Sequence, residues 1–316
     1  MRTFVANFTG TSTMSNQKKQ PAKERETKST IQTYTVKNPT TVLAFIQQVH
    51  SGKSRSAIKS MLKHRQVAVN DVTVAVDTTP LMEGDVLTIN TGKMPERLEH
   101  DLLRIVHEDD YIIVIDKKTG LLSVGTERER EQTAYAILKE HVKQLSEHNK
   151  IFILHRLDRD TSGVMMFAKN KEVQEQMQRN WNDVVTDRRY VAVVAGDVQR
   201  NEGEITTWLK EGGAFSTISS VVANGGQRST TRYRVLRRAP GFTMVECTLD
   251  SGRKNQIRVH MKDLGHSIVG DKKYGGIKSP FGRLALHAHI LEFVHPVTGK
   301  VLRFESNIPK PFFTVF

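Results

Sequence analysis

The chain has 316 residues, 38% hydrophobic and 26% charged, enough for one large domain or two unequal ones around ordinary cores. Its single cysteine, Cys247, excludes a disulfide framework and a cysteine-built zinc site, and no run approaches the roughly 20 apolar residues of a membrane span. The net charge of +13 points to a polyanionic partner, and it is uneven: +6 over residues 1–100, −1 over 101–200 and +8 over the rest.

Residues 1–35 are rich in Lys, Gln, Thr, Ser and Asn, so a disordered basic tail is expected there. The start has no apolar stretch long enough for a signal peptide, which with the lone cysteine predicts a cytoplasmic protein. A compact unit follows over 36–92. Val42, Phe45, Ile46 and Val49 recur at helical spacing behind the cap candidates Thr40 and Thr41. A second helix, about Ser54 to His64, buries Ile58, Met61 and Leu62. Its Arg55, Lys59 and Lys63 repeat every four residues as a basic stripe. "VAVNDVTV" (67–74) reads as a hairpin turning at Asn70-Asp71, and "DVLTI" from Asp85 as a closing strand.

From Lys37 to Asn70 there are six Lys or Arg and no Asp or Glu. A solvated helix usually mixes signs, so a one-sign face suggests phosphate contacts. Two helices, a hairpin and a basic second helix resemble the small RNA-binding module named after ribosomal small-subunit protein four. The resemblance implies a small α/β RNA-binding domain over 36–92.

"GKMPERLEH" (92–100) reads as a linker, placed at 93–102, before a second domain over 103–316. Strands are expected at Ile112 to Ile115, Ile151 to Leu154, Val164 to Ala168, Val191 to Ala195, Arg232 to Leu236, Met244 to Leu249 and Leu284 to Phe293. Helices fall near Thr133 to His148, Lys171 to Trp181 and Lys254 to Leu264. Strands in neighbouring runs with few helices predict an α+β domain on a largely antiparallel mixed sheet.

Within it, "HRLDRDTSG" (155–163) follows the apolar run Ile151-Phe152-Ile153-Leu154. A turn this densely charged at the mouth of a core is a candidate site. Three readings of such motifs fail. "GKS" at 52–54 lacks the first Gly of a phosphate-binding loop, since Gln47 stands there. "HRLD" has no accompanying Gly-rich loop or DFG of a kinase. A metal on Asp158 and Asp160 would face Arg156 and Arg159, which repel cations. Two carboxylates on one short turn also suit a glycosidase pair poorly, since they more readily cap backbone amides. Further on, "QRSTTRYRVLRR" (227–238) holds five Arg and no acid, with Arg232 and Arg234 on one strand face and Tyr233 and Val235 on the other. It reads as a surface for a nucleic-acid backbone or as a charged edge strand.

Four stretches in order resemble the RluA-type pseudouridine synthases: "HRLDRDTSG", "DRRYVAVVAG" (187–196), "SGRKNQIRVHM" (251–261), and "GDKKYGG" followed by "RLALHAHILEF". The resemblance spans about 103–310. It implies isomerisation of uridine to pseudouridine in RNA: the bond from base nitrogen to sugar breaks, the uracil turns, and a carbon–carbon bond forms. No cofactor and no metal are implied. Asp158 becomes the catalytic carboxylate, as nucleophile at the anomeric carbon or as base at the sugar. Arg258 matches the Arg that pairs with it, and Tyr190 the tyrosine that packs against the uracil. Arg156 matches an Arg that fills the gap left by a flipped-out base. Gly252 and the helix opening near Lys254 suit an anion, which adds Arg253, Lys254 and Gln256 as substrate-binding residues beside Arg55, Lys59 and Lys63.

Two positions depart from the pattern: Asn255 stands where His is usual, and Lys118 where Pro is common, which is expected to loosen the turn before Gly120. His155 and Thr161 read as structural. The expected function is a monomeric RNA pseudouridine synthase acting on large-subunit ribosomal RNA first and transfer RNA second. The rival class is a non-catalytic RNA-binding or ribosome-assembly factor.

Overall fold

The computed structural model describes residues 31–316, apart from residues 64, 65, 71, 75, 92–97, 99, 128, 145, 214 and 215. The chain divides into two compact units between residues 94 and 95. Residues 1–30, most of the expected tail, lie outside the described residues. The tail prediction overreached at its end. Ile31–Thr35 forms strand β1, paired antiparallel to β6 (Val86–Asn90) with Tyr34 opposite Leu87. Its β-branched and aromatic residues, Ile31, Thr33, Tyr34 and Thr35, are a strand signal that a composition argument averages away.

The small unit continues with β2 (Thr40–Thr41), α1 (Val42–Val49) and α2 (Arg55–Lys63). Thr41 caps α1 by accepting from Ala44 N, and Ser54 Oγ accepts from Ala57 N to start α2. Strands β3 (Val67–Val69) and β4 (Val72–Thr73) form the hairpin, and β5 (Pro80–Leu81) pairs with β2. Asn70 turns the hairpin with φ of 50°, a left-handed conformation that Asn tolerates. Val42, Ile46, Ile58, Leu62, Val67, Leu87 and Ile89 close one apolar core. Arg55, Lys59 and Lys63 stay exposed on α2, with Lys59 3.5 Å from Asp77. The stripe exists as predicted, with one acid beside it.

The larger unit is α+β, built on an eleven-stranded sheet among the described residues. The elements, in chain order, are β7 (Leu103–Glu108), β8 (Ile112–Lys117), α3 (Ala134–Lys143), β9 (Phe152–Ile153), β10 (Ser162–Ala168), α4 (Lys171–Arg179), α5 (Trp181–Val184), β11 (Asp187–Ala195), β12 (Glu202–Glu211), β13 (Thr217–Ser220), β14 (Gln227–Ala239), β15 (Phe242–Leu249), α6 (Gln256–Asp263), β16 (Leu286–Val294) and β17 (Val301–Glu305). The main path runs β13-β12-β14-β15-β11-β16-β10-β8-β7, with β17 on β16 and β9 on β10. Every pair is antiparallel except β10 with β16, which makes the sheet mixed. Leu98 and Leu102, expected in the linker, pack against the core of this unit. Among the described residues no helix is long and apolar enough to cross a membrane.

Strand β10 is buried along its whole length, so both its faces must be apolar or hydrogen-bonded. It meets β16 so closely that a Cβ on Gly163 would stand 2.0 Å from Ala288 O, and Gly163 also takes φ of +115°. Only glycine fits there. That is why the charged turn ends in Gly.

The edge-strand reading of 227–238 is corrected. Strand β14 is internal, between β12 and β15, and two of its five arginines meet acids there. Arg232 pairs with Glu204 and Asp250, and Arg234 with Glu246 at 2.9 Å. Strand β12 escaped the sequence reading because its polar residues hide the alternation, and it supplies Glu204.

Candidate active site

The turn between β9 and β10 carries Asp158, and the chain braces it from below. Thr161 N donates to Asp158 O at 3.1 Å, closing the turn. Ser123 Oγ accepts from Leu157 N and donates to Leu157 O. Gly120 N donates to Arg159 O, Arg159 Nε donates back to Gly120 O, and Thr119 Oγ1 donates to Asp160 O. Lys117 lies fully buried beneath, its Nζ donating to the carbonyls of Lys118, Leu121 and Arg159. Burial draws Lys117 down to about 7, with Arg283 adding to the fall and Asp160 and Asp158 opposing it. A carboxylate on so fixed a backbone is preorganised.

Lys118 was expected to loosen this region. Instead its N–H donates to Leu102 O at 2.8 Å, a bond that a proline could not make.

Above the turn, helix α6 delivers Arg258. Its Nη1 donates to Asp158 Oδ2 at 3.2 Å, while Nε and Nη2 form a fork onto Asp271 at 2.8 Å each. Asp271 is buried and also accepts from Lys273 N and Tyr274 N. Burial works against the Asp271 charge, yet Arg258 and these amides hold its carboxyl below the usual range. Burial likewise disfavours charged Arg258, but Asp271 and then Asp158 more than offset that and raise its pKa. The pair therefore stays ionised.

Asn255 replaces the expected His and sits buried with φ of 56° at the start of α6. Its Oδ1 accepts from Arg258 Nη1 at 3.0 Å, and its Nδ2 donates to the Tyr274 hydroxyl at 3.0 Å. Arg258 also lies over the Tyr274 ring. The departure thus helps aim the guanidinium.

Asp158, Tyr190 and Arg258 line one cleft of about 470 Å³. Tyr190 lies on β11 beside a bulge between Arg189 and Tyr190. Burial pushes its hydroxyl pKa up; Arg188 opposes the shift and Asp158 adds to it. A neutral phenol and a fixed carboxylate suit a base and a sugar respectively. His155 is structural: Met166 N donates to its Nε2, and burial, aided by Arg188, drives it down to about 3.

The expected substrate contacts divide. Arg156 and Arg253 line the cleft and are exposed, and among the described residues neither has a carboxylate within ion-pair distance. Lys254 also lines the cleft but its Nζ meets Glu211 at 3.1 Å. Gln256 lines the cleft as well, but its side chain is engaged within the protein. Its amide donates to Thr230 O and Thr231 Oγ1 and accepts from Ser251 Oγ and Arg253 N, so it ties the loop before α6 to β14. Arg55, Lys59 and Lys63 belong to the other unit.

Sequence reasoning missed Asp271, although "GDKKYGG" was in view; an acid between Gly and two Lys was its only signal. Lys117 and Ser123 left none. Among the described residues no group of three or more His, Cys, Asp or Glu side chains is placed to hold a metal ion.

Comparison with known proteins bears on this geometry. The sequence pattern of the RNA pseudouridylate synthase family matches residues 111–263. The chain is 34% identical over 274 residues to an uncharacterized RNA pseudouridine synthase, YlyB, of Bacillus subtilis, covering 84% of this chain and 89% of that protein. It is 32% identical over 271 residues to ribosomal large subunit pseudouridine synthase D of Nitrosomonas europaea, covering 81% and 77%. Among solved structures, human RNA pseudouridylate synthase domain containing 4 shares the fold with a TM-score of 0.55 at 24% identity, over 66% of this chain and 89% of that one.

Proposed function

The chain belongs to the RNA pseudouridine synthase family and is an enzyme of that class, and from this premise we propose that it isomerises uridines of large-subunit ribosomal RNA in the cleft around Asp158. The observation that carries the reading is the chain Asp271–Arg258–Asp158, which fixes one carboxylate in place at the wall of a nucleotide-sized cleft. A protein that only bound RNA would gain nothing from a fixed negative charge there, since it repels phosphates.

In this reading the target nucleotide is flipped out of its helix, because the uracil must turn and be reached on both edges. Its sugar faces Asp158, which acts as nucleophile at the anomeric carbon or as base at the sugar. Tyr190 packs against the uracil. Arg156, exposed at the mouth, enters the space that the base leaves. The small unit acts as an RNA-binding module through Arg55, Lys59 and Lys63. The ribosomal assignment is supported by relatives named ribosomal large subunit pseudouridine synthase D and by the net charge of +13.

Pseudouridine mapping of total RNA from cells with and without the gene tests the assignment. Loss of one or a few sites in large-subunit ribosomal RNA is expected. Losses confined to transfer RNA would redirect the substrate, and an unchanged map would remove it.

A further inference from the structure

Most buried cations of the larger unit have their donors met from within. Arg258 has Asp271, Asp158 and Asn255. Arg283 donates to Leu284 O, Leu286 O and Ser162 Oγ, and Lys117 to three carbonyls. Arg188 differs. It is only 9% exposed and lines the cleft, yet among the described residues its one hydrogen-bond acceptor is Leu249 O, at 3.4 Å from Nη2. Among the described residues no carboxylate comes within ion-pair distance of it.

A guanidinium carries five N–H donors in a rigid fork. Those of Arg188 left without a protein partner are open to the cleft, since among the described residues the buried side-chain atom that lacks a partner is His141 Nδ1. The surroundings nevertheless hold it in place. The Trp181 ring lies under it at 5.7 Å, and His155 backs that ring. Across the cleft, Gly252 keeps room for it, since a Cβ there would stand 2.8 Å from Arg188 Nη1. Burial pulls its pKa down; Tyr190 and Asp250 oppose the fall and Arg253 adds to it. The charge that adds to the fall is another cation of the cleft. An anion would meet the open donors and offset that repulsion.

The position along β11 says which anion. Arg188 and Tyr190 are two residues apart and both line the cleft, whereas Asp187 and Arg189 bond to each other on the opposite face. Two strand residues span about 6.6 Å, comparable to the reach from a base to the phosphate of its own nucleotide. We propose that Arg188 is the receptor for the phosphate of the target nucleotide, gripping it by its fork while Tyr190 meets the base. The inference rests on the reading of this cleft as the seat of the flipped uridine. It adds a positioning contact that the motif resemblance did not assign.

The test measures tritium release from a 5-tritiated-uridine transcript of large-subunit ribosomal RNA, over a range of RNA and salt concentrations. Arg188→Gln should raise KM at least tenfold, with most of the loss in kcat/KM falling on KM. Its salt slope should be shallower by about 0.7–0.9, the share of one phosphate. Arg188→Lys keeps the charge and loses the fork, so its slope should match wild type while KM rises less. An unchanged KM and slope in the Gln variant would overturn the proposal, as would a loss confined to kcat. A measurement on unmodified protein guards against a misfolded variant. Uridine 5′-monophosphate should inhibit wild type at least tenfold better than uridine, and equal inhibition by both, or by neither, also overturns it. Wild-type protein that releases no tritium from this transcript refutes the ribosomal assignment alone, and the same comparison then runs on tritiated total cellular RNA.

Discussion

The two units bury different things. The small unit, over its described residues, closes a core of aliphatic side chains and one phenylalanine and keeps its cations on the surface. Every buried polar or charged side chain among the described residues lies in the larger unit, including Lys117, Arg188, Asp271, His260 and His287. Buried ionisable groups cost stability unless they are paired or hydrogen-bonded, so a fold concentrates them where chemistry requires a fixed charge. The contrast matches the proposed division of labour, in which a surface attracts RNA and a cleft transforms it.

The sharpest way to break that separation is Asp158→Asn. Turnover should fall by at least roughly a thousandfold, because an amide is neither nucleophile nor base. RNA affinity should stay the same or rise, since the change removes a negative charge near phosphates. Tritium release and filter binding on one preparation check both halves. Turnover within tenfold of wild type would take Asp158 out of its role.

Next in size is Asp271→Ala, aimed at the deepest buried acid. It strips the fork from Arg258 and leaves a largely buried cation with Asp158 as its remaining carboxylate. Breaking a buried pair from one side costs about 3–5 kcal/mol. Urea denaturation should show a loss of that size, with activity reduced in whatever fraction stays folded. A loss under 1 kcal/mol would mean that solvent reaches the pair.

Those two acids also show what the sequence made legible. Asp158 was readable because four motifs in the right order surround it and because its turn follows an apolar strand. Asp271 was not, since its role depends on a contact with Arg258, thirteen residues away, that no local pattern encodes. The same limit applies to Lys117, which braces Arg159 across 42 residues of chain. Elements with strong apolar patterns, such as α1, α2 and β10, were found nearly to their ends, whereas the polar first four residues of β11 were left out of the expected strand. Strands β7, β12 and β13 were not found, because polar residues or a bulge break their alternation, and β17 was overlooked although its burial alternates. The structural role of Gln256 was hidden for a related reason: nothing local shows that its amide ties the loop before α6 to β14.

A milder challenge uses acid. Burial drives His260 and His287 down to about 4 and His155 to about 3. Their folded values lie below the ordinary 6.5, so the unfolded chain binds more protons between pH 6.5 and 4. Stability contributed by these neutral rings is therefore present above pH 6.5 and is lost as pH falls toward 4. Each ring removes up to about 1.4 kcal/mol per pH unit in that window. Down to about pH 4.5 the depressed carboxylates, such as Asp109 at about 2, do not yet contribute. Both tryptophans, Trp181 and Trp208, lie in the larger unit, so their fluorescence follows it alone. Melting temperature by that signal should drop steadily from pH 7 to 5. A flat profile would show that the rings are already charged or solvated.

The smallest effect expected belongs to the basic stripe of the small unit, and it decides whether that unit contributes to binding. Arg55, Lys59 and Lys63 lie exposed on α2, within a stretch from Lys37 to Asn70 that has six cations and no acid. Asp77 stands 3.5 Å from Lys59, so that cation is partly neutralised before RNA arrives. Exposed pairs of this kind are weak, and a phosphate can displace the carboxylate. If all three cations meet phosphates, replacing them with Gln should reduce the salt slope of log affinity by about 2, using the single-strand coefficient. Lys59→Gln alone should contribute the least of the three, because Asp77 already neutralises part of that charge. Single-turnover rates at saturating RNA should change much less than affinity, since the residues assigned to chemistry all lie on the larger unit. Titrations at several salt concentrations, with melting curves to confirm folding, make the measurement. An unaltered slope in the triple variant would reduce the stripe to a solvated face. The contrast between an attracting unit and a transforming one would then have to be carried by Arg156, Arg188 and Arg253 in the cleft itself.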